Sequence, residues 1–116
     1  MTPLATEFRD VFEKEAMMGG EGSVHMEQIL SAEEMMGKAR LFNRVTLRPG
    51  CSIGTHTHRG DNECYFILSG TGTYQEDGVE KTVEPGSITY TRDGHSHSLK
   101  NTGEEDLVFI ALILYS

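Results

Sequence analysis

The chain has 116 residues, of which 37% are hydrophobic and 24% are charged, a composition typical of one globular domain. Its net charge of −8 excludes the basic surface that nucleic-acid binding requires, and no apolar run approaches the roughly 18 residues of a membrane-spanning helix. Because the first residues form neither a basic region nor an apolar core, we expect no signal peptide and a cytoplasmic location.

Residues 1–22 are predicted to form a short helical arm that precedes the main domain. Thr2 suits an N-cap and Pro3 suits the first helical position. The helix would carry one apolar stripe, formed by Leu4, Phe8, Val11 and Phe12. Glycines at positions 19, 20 and 22 end the pattern. A helix this short is marginal alone, so we expect the stripe to dock on the main domain or on a partner subunit.

The methionines are confined to the N-terminal third of the chain, since all six lie within residues 1–36. We interpret them as fillers of structural gaps rather than as a soft binding surface. The same region carries eight acidic and two basic residues, which is typical of a solvated face.

Residues 23–116 are predicted to form an all-β domain. A capping box of Ser31 and Glu34 indicates one or two helical turns, and Asp77-Gly78 is typical of a tight hairpin. Elsewhere, short strands alternate with turn residues. The predicted strands are 24–30, 40–48, 53–58, 63–69, 71–76, 79–84, 87–91, 96–101 and 106–114. Many short strands at such spacing indicate a sandwich or a closed barrel.

Four side chains have the chemistry and the spacing of a metal site. His56 and His58 lie two residues apart on a predicted strand, so both imidazoles share one face. A turn-rich stretch of four residues then leads to Glu63, which an antiparallel neighbour can bring beside them. His97, on a later strand, can supply a third imidazole. Two imidazoles and one carboxylate suit iron, manganese, nickel or zinc.

These residues stand at the positions of the two cupin motifs, and the chain resembles the small single-domain cupins between about residues 40 and 114. The first motif is carried by Gly50, His56, His58, Glu63 and Gly70. The second is carried by Gly86, Gly94, His97 and Asn101. The single departure is Arg92, where the family usually has proline; it does not affect a ligand position.

The resemblance implies a double-stranded β-helix, also called a jelly roll or cupin barrel, with a metal at its wide end. The implied ligands of one divalent ion per chain are His56, His58, Glu63 and His97, with coordination positions left for water or substrate. Neutral imidazoles are required, so metal affinity should fall below roughly pH 6. The alternative is a metal-free cupin whose histidines only line a pocket.

Two further residues are candidates for catalysis. Tyr65 shares a strand face with Glu63 and can hydrogen-bond a substrate; the alternative is a core tyrosine. His95 shares a face with His97 and can act as an acid or base, although an exposed loop histidine is the favoured interpretation. Arg44 and Arg92 can pair with an anionic substrate, but solvated arginines are favoured.

The leading functional hypothesis is a metal-dependent enzyme that acts on a small oxygenated acid or enol by dioxygenase, decarboxylase, isomerase or lyase chemistry. Some similar cupins are labelled oxalate-decarboxylase-like. The alternatives are a non-catalytic module that binds or senses a small molecule, and a metal with a purely structural role. Because cupin barrels usually pair through their sheets, and because the apolar stripe needs a cover, we also predict a homodimer.

Overall fold

The computed structural model describes residues 6–116, which form two antiparallel sheets. The strands are β1 Val11–Glu15, β2 Ser23–Gln28, β3 Ala39–Leu47, β4 Ser52–Thr57, β5 Asp61–Ser69, β6 Gly72–Glu76, β7 Val79–Val83, β8 Ile88–Thr91, β9 Ser96–Lys100 and β10 Leu107–Tyr115. One sheet has the order β1-β2-β3-β10-β5-β8, and the other has the order β4-β9-β6-β7. A helix, α1 Ala32–Met35, and a 3₁₀ turn at Met17–Gly19 complete the described elements. The predicted double-stranded β-helix is confirmed.

Alternating residues of the strands bury one face of each sheet and form the core between the sheets. On β5, Tyr65 and Ile67 point inward and are buried, whereas Phe66 points outward and is 43% exposed. Phe109 on β10 and Leu99 on β9 pack into the same core from the two sheets. This alternation puts every second residue of β5 inside the barrel, and Glu63 is one of these residues.

The nine strands predicted after residue 22 are all present, and their ends lie within two residues of the predicted positions. The capping box at Ser31 and Glu34 is formed, and it starts α1. Asp77 and Gly78 both have positive φ angles, 49° and 84°, as the tight turn between β6 and β7 requires. Within residues 6–116, no helix has the length and apolar character needed to cross a membrane.

The predicted N-terminal helix is wrong over the residues that the structure describes. Val11–Glu15 is the edge strand β1, which pairs with β2 from Val11–Glu27 to Glu15–Ser23. The start of the predicted helix, residues 1–5, lies outside the described part. Val and Phe favour strands, and the hydrogen bonds to β2 are available only to an extended chain, so the neighbouring strand outweighs the helical periodicity. Residues 11–15 therefore extend the larger sheet rather than forming a separate helical arm.

Candidate metal centre

The two sheets bring the four predicted ligands together at one end of the barrel. His56 on β4 lies directly opposite His97 on β9 in the smaller sheet. His58 follows β4, where its backbone exchanges hydrogen bonds with His95 and Gly94. Glu63 comes from β5 of the larger sheet and is 4% exposed. The site therefore depends on the closure of the barrel and not on any single strand.

One donor atom from each of the four residues converges on a common point, all within 4.8 Å of one another. The Nε2 atom of His97 lies 3.0 Å from Nε2 of His56, 3.0 Å from Nε2 of His58 and 3.0 Å from Oε1 of Glu63. The Nε2 atom of His58 lies 3.1 Å from the same carboxylate oxygen. Donors about 2.1 Å from a six-coordinate ion and at right angles to each other are separated by about 3 Å. The spacing therefore fits a divalent metal ion.

The other ring nitrogen of each imidazole is held by the protein. The Nδ1 atom of His56 donates to the carbonyl oxygen of Gly54 at 2.8 Å, and Nδ1 of His58 donates to Oδ1 of Asp61 at 2.7 Å. A carbonyl oxygen and a carboxylate oxygen are acceptors, so both Nδ1 atoms carry hydrogen in the neutral ring and both Nε2 atoms carry a lone pair. Partners of this kind fix the tautomer and the orientation that a metal requires.

His97 is held by a polar network behind the site. Its Nδ1 atom lies 2.7 Å from Oγ1 of Thr91 and 3.1 Å from the hydroxyl of Tyr74. Both hydroxyls also contact Oε1 of Glu76, which accepts a hydrogen bond from Thr91 at 3.0 Å and from Tyr74 at 2.7 Å. This carboxylate draws the hydroxyl protons toward itself and leaves the hydroxyl oxygens to accept from Nδ1. The Nε2 lone pair of His97 is then directed at the common point.

The pKa values of Glu63, His58 and His97 depend on hydrogen bonds within the cluster and on burial. Burial acts to raise the pKa of Glu63, but hydrogen bonds from His56, His58 and His97 outweigh it and hold that pKa well below its ordinary value. The hydrogen bond to Glu63 raises the pKa of His58 against the effect of burial, and Asp61 adds to the rise. Burial lowers the pKa of His97. The carboxylate is therefore ionised, and His97 resists protonation, as metal ligands must.

A cavity of about 370 Å³ leads from this cluster to the surface. His56, His58 and Glu63 line its inner end. Nine of its seventeen lining residues are apolar, and two arginines, Arg40 and Arg59, line it as well. The sequence does not mark either arginine as a site residue, because neither belongs to a motif and neither lies on the predicted inward face of a strand. The cavity combines a polar end, apolar walls and a source of positive charge.

Of the two catalytic candidates, one lies at the cavity and the other does not. Tyr65 lines the cavity and stacks on the ring of His97, with 5.1 Å between ring centroids. Burial and the negative charge of Glu63 raise the pKa of Tyr65 well above its ordinary value, so the phenol stays protonated. His95 instead lies outside, with a side chain that is 51% exposed and whose Nδ1 atom is 2.6 Å from Oδ2 of Asp77.

The reason for the position of His95 is local. Residue 95 precedes β9, which begins at Ser96, so strand alternation does not extend to it. Asp77 also accepts a hydrogen bond from the Ser96 amide and thereby holds this corner to the β6–β7 turn. The expectation that His95 looks into the cavity is corrected: it is the exposed loop histidine that was the favoured interpretation.

Arg44 and Arg92, the arginines considered as partners of an anionic substrate, lie outside the cavity, whereas several methionines line it. Arg44 pairs with Glu27 on the outer face of the barrel, and Arg92 is exposed; neither lines the cavity. Met17, Met18 and Met26 do line it. The interpretation of the methionines as structural filling is therefore incomplete, because three of the five methionines within residues 6–116 form part of the cavity wall.

Comparison with known proteins agrees with this geometry. The sequence pattern of the Cupin domain family matches residues 43–113. The chain is 46% identical over 98 residues to the Oxalate-binding protein of Thermotoga maritima, which covers 84% of this chain and 81% of that protein. Its structure superposes on the crystal structure of a predicted oxalate decarboxylase from Thermotoga maritima with a TM-score of 0.91 and 40% identity, over the whole of both chains.

A more distant similarity concerns the fold alone. The Cupin_2 domain of an XRE family transcriptional regulator from Enterobacter cloacae superposes with a TM-score of 0.69 at 20% identity, over 80% of this chain and 97% of that domain. The matched family pattern covers both predicted motifs and all four candidate ligands. By its sequence motifs, its fold and these similarities, the chain belongs to the cupin family.

Proposed function

We propose that this cupin holds one divalent metal ion with His56, His58, Glu63 and His97 and acts as an enzyme on a small oxygenated acid or enol. The observation that carries the proposal is the convergence of three Nε2 atoms and one carboxylate oxygen at the inner end of a cavity large enough for a small molecule. Manganese, iron, zinc and nickel all accept this donor set. The metal present decides between dioxygenase, decarboxylase, and isomerase or lyase chemistry.

The residues of the chain have separable roles in this proposal. A bound metal supplies a Lewis acid that polarises a substrate oxygen and stabilises developing negative charge. Asp61 and the Gly54 carbonyl keep the imidazoles of His58 and His56 aimed at the centre. The protonated phenol of Tyr65 is a hydrogen-bond donor beside the substrate. Arg40 contributes positive charge to the cavity, and the apolar walls limit the access of water.

A second candidate function is binding without catalysis. It is favoured by the name of the Thermotoga maritima relative, an Oxalate-binding protein, which states a ligand and no reaction. Oxalate offers two oxygens on adjacent carbons, and the same arrangement in other small acids would suit a metal with open positions. The two candidates differ in a single observable, namely whether a bound small acid is consumed.

Incubation of metal-loaded protein with oxalate and with 2-oxo acids, followed by NMR of the mixture, tests the enzyme proposal. We expect turnover that is lost in His58→Ala and kept in His25→Ala, whose imidazole pairs with Glu13 away from the site. Full turnover in His58→Ala would remove this site as the catalyst. If the acids raise the melting temperature but remain unconsumed, the binding module is the correct function.

We also propose that the chain forms a homodimer through the outer face of its larger sheet. The support is a cluster of exposed apolar side chains on two neighbouring strands. Phe66 on β5 lies opposite Ile88 on β8, and the two are 43% and 68% exposed. Tyr90 extends the cluster along β8 and is 48% exposed. Exposed apolar patches of this kind mark association surfaces.

A further inference from the structure

Part of the cavity lining lies outside the range that the cupin family pattern matches. The inner end of the cavity is formed by ligand residues within the matched range 43–113. Five lining residues precede this range, and we call them the N-terminal wall: Met17, Met18, Met26, Arg40 and Leu41. The wall consists of four apolar side chains and one guanidinium. None of these five residues is a candidate ligand, so the wall can influence which molecule reaches the centre without supplying a ligand atom.

The methionine part of the wall is built into the fold. The 3₁₀ turn at Met17–Gly19 packs on β4 so closely that a Cβ atom at Gly54 would overlap the carbonyl oxygen of Met18. Glu21 and Ser52 exchange backbone and side-chain hydrogen bonds of 2.8 Å just after the turn. Met17 also packs against the hydrophobic core. The backbone of the turn is therefore held against the barrel, which keeps Met17 and Met18 at the cavity.

Arg40 is directed to the cavity by an irregularity in β3. The pairing of β3 with β10 passes from Leu41–Ile113 to Ala39–Leu114, which leaves Arg40 without a partner in the ladder. Such bulges redirect side chains next to functional sites. The Nη2 atom of Arg40 lies 3.2 Å from Oδ2 of Asp61, and the guanidinium lies over the ring of Tyr115. Its remaining N–H donors are available to an anion.

The size of the cavity is a further constraint on its ligand. At about 370 Å³ it falls in the range of pockets that hold drug-sized molecules, whereas oxalate has only six non-hydrogen atoms. Oxalate bound at the inner end would leave the apolar walls without a partner. A ligand that buries those walls gains affinity with each apolar carbon that leaves water.

We propose that the preferred ligand is a 2-oxo carboxylate with an apolar substituent, selected by the N-terminal wall. The keto and carboxylate oxygens occupy the metal end, and Arg40 attracts the carboxylate. The methionines of the N-terminal wall contact the aliphatic or aromatic substituent. This inference rests on the proposed function, because the head group needs the metal. It adds the substrate class and assigns the choice of substrate to residues before position 43.

Calorimetric titration of Mn²⁺-loaded protein with oxalate, pyruvate, 4-methyl-2-oxopentanoate and phenylpyruvate tests this inference. We expect 4-methyl-2-oxopentanoate to bind about tenfold or more tightly than pyruvate, because its three extra carbons are buried. Met18→Ser should reduce that difference, whereas Met36→Ser, which removes an exposed methionine outside the cavity, should not. Arg40→Ala should weaken all four acids, and Arg92→Ala, outside the cavity, should weaken none.

The outcomes separate this inference from the proposed function. If oxalate binds and affinity stays level or falls as the substituent grows, the inference is overturned and the metal site stands. If Met18→Ser and Met36→Ser change the affinity difference between 4-methyl-2-oxopentanoate and pyruvate equally, the methionines of the wall do not select the ligand, and the inference is again overturned. If the protein takes up no Mn²⁺ and binds none of the acids, both the proposed function and this inference fail. Whether affinity rises with the size of the substituent is measured on the wild-type protein alone, so this result does not depend on how any variant folds.

Discussion

The contacts behind the imidazoles matter as much as the imidazoles themselves. Asp61 is 2% exposed and accepts from Nδ1 of His58, and it also pairs with Arg40. It links the metal end of the cavity to the arginine of the wall. A carboxylate in this position fixes ring orientation and raises the basicity of the ligand. Asp61 is therefore a positioning residue, even though it donates no atom to the centre.

We predict that Asp61→Ala weakens metal binding by about 10–100-fold, because His58 loses the acceptor that holds its Nε2 atom toward the centre. Asp61→Asn keeps an oxygen acceptor and should fall between Ala and the wild type. Competition with a metal-sensitive dye measures all three affinities. Equal affinities in the wild type and Asp61→Ala would show that Asp61 has no positioning role.

The raised pKa of His58 predicts a pH dependence. In the metal-free protein, protonated His58 stabilises the fold below its unfolded pKa near 6.5, and this contribution is lost as pH rises through the raised pKa. The metal must displace this proton, so its apparent affinity falls about tenfold per pH unit below the raised pKa. The melting temperature gained on adding metal should therefore grow between about pH 5 and pH 8. A gain that is constant over this range would contradict the prediction.

Among the structural elements, the 3₁₀ turn and β4 pack so closely that no side chain fits at Gly54. We predict that Gly54→Ala destabilises the protein by about 1–3 kcal/mol, because the added methyl group overlaps the carbonyl oxygen of Met18. Thr55→Ala, at the next and exposed position, should change stability by less than about 0.5 kcal/mol. Urea denaturation of both variants measures the difference. Equal stabilities would show that the turn can move away from β4 at little cost.

The strands were predictable because they depend on local patterns, and the convergence of the four candidate ligands was predictable because these residues stand at the positions of the cupin motifs. Period-2 alternation put His56 and His58 on one face, and glycine turns divided the chain at the observed positions. The N-terminal helix failed because hydrogen bonds to β2 outweigh the helical spacing of Leu4, Phe8, Val11 and Phe12, and this spacing does not reveal that β2 is a neighbour. Arg40 was missed for a similar reason, since a bulge between β3 and β10 is a property of the pairing and not of either strand.

In the whole molecule, the inner faces of the two sheets pack against each other, whereas the outer face of the larger sheet carries exposed apolar side chains. We predict a homodimer that Phe66→Asp converts to a monomer, because a carboxylate opposite the exposed Ile88 opposes burial of this surface. Thr82→Asp, on the exposed strand β7 of the other sheet, is the matched control and should leave the dimer intact. Light scattering coupled to size-exclusion chromatography measures both masses. A wild-type protein that elutes as a monomer would contradict the prediction.

Elemental analysis of tag-free protein measures whether His56, His58, Glu63 and His97 hold a metal ion. We predict about one divalent metal ion per chain in the wild type and a marked loss of metal in His58→Ala and Glu63→Ala. His25→Ala, which removes an imidazole outside the site, should retain the metal. A wild-type protein that contains no metal, and takes up neither manganese, iron, zinc nor nickel at neutral pH, would show that these four residues are not a metal centre.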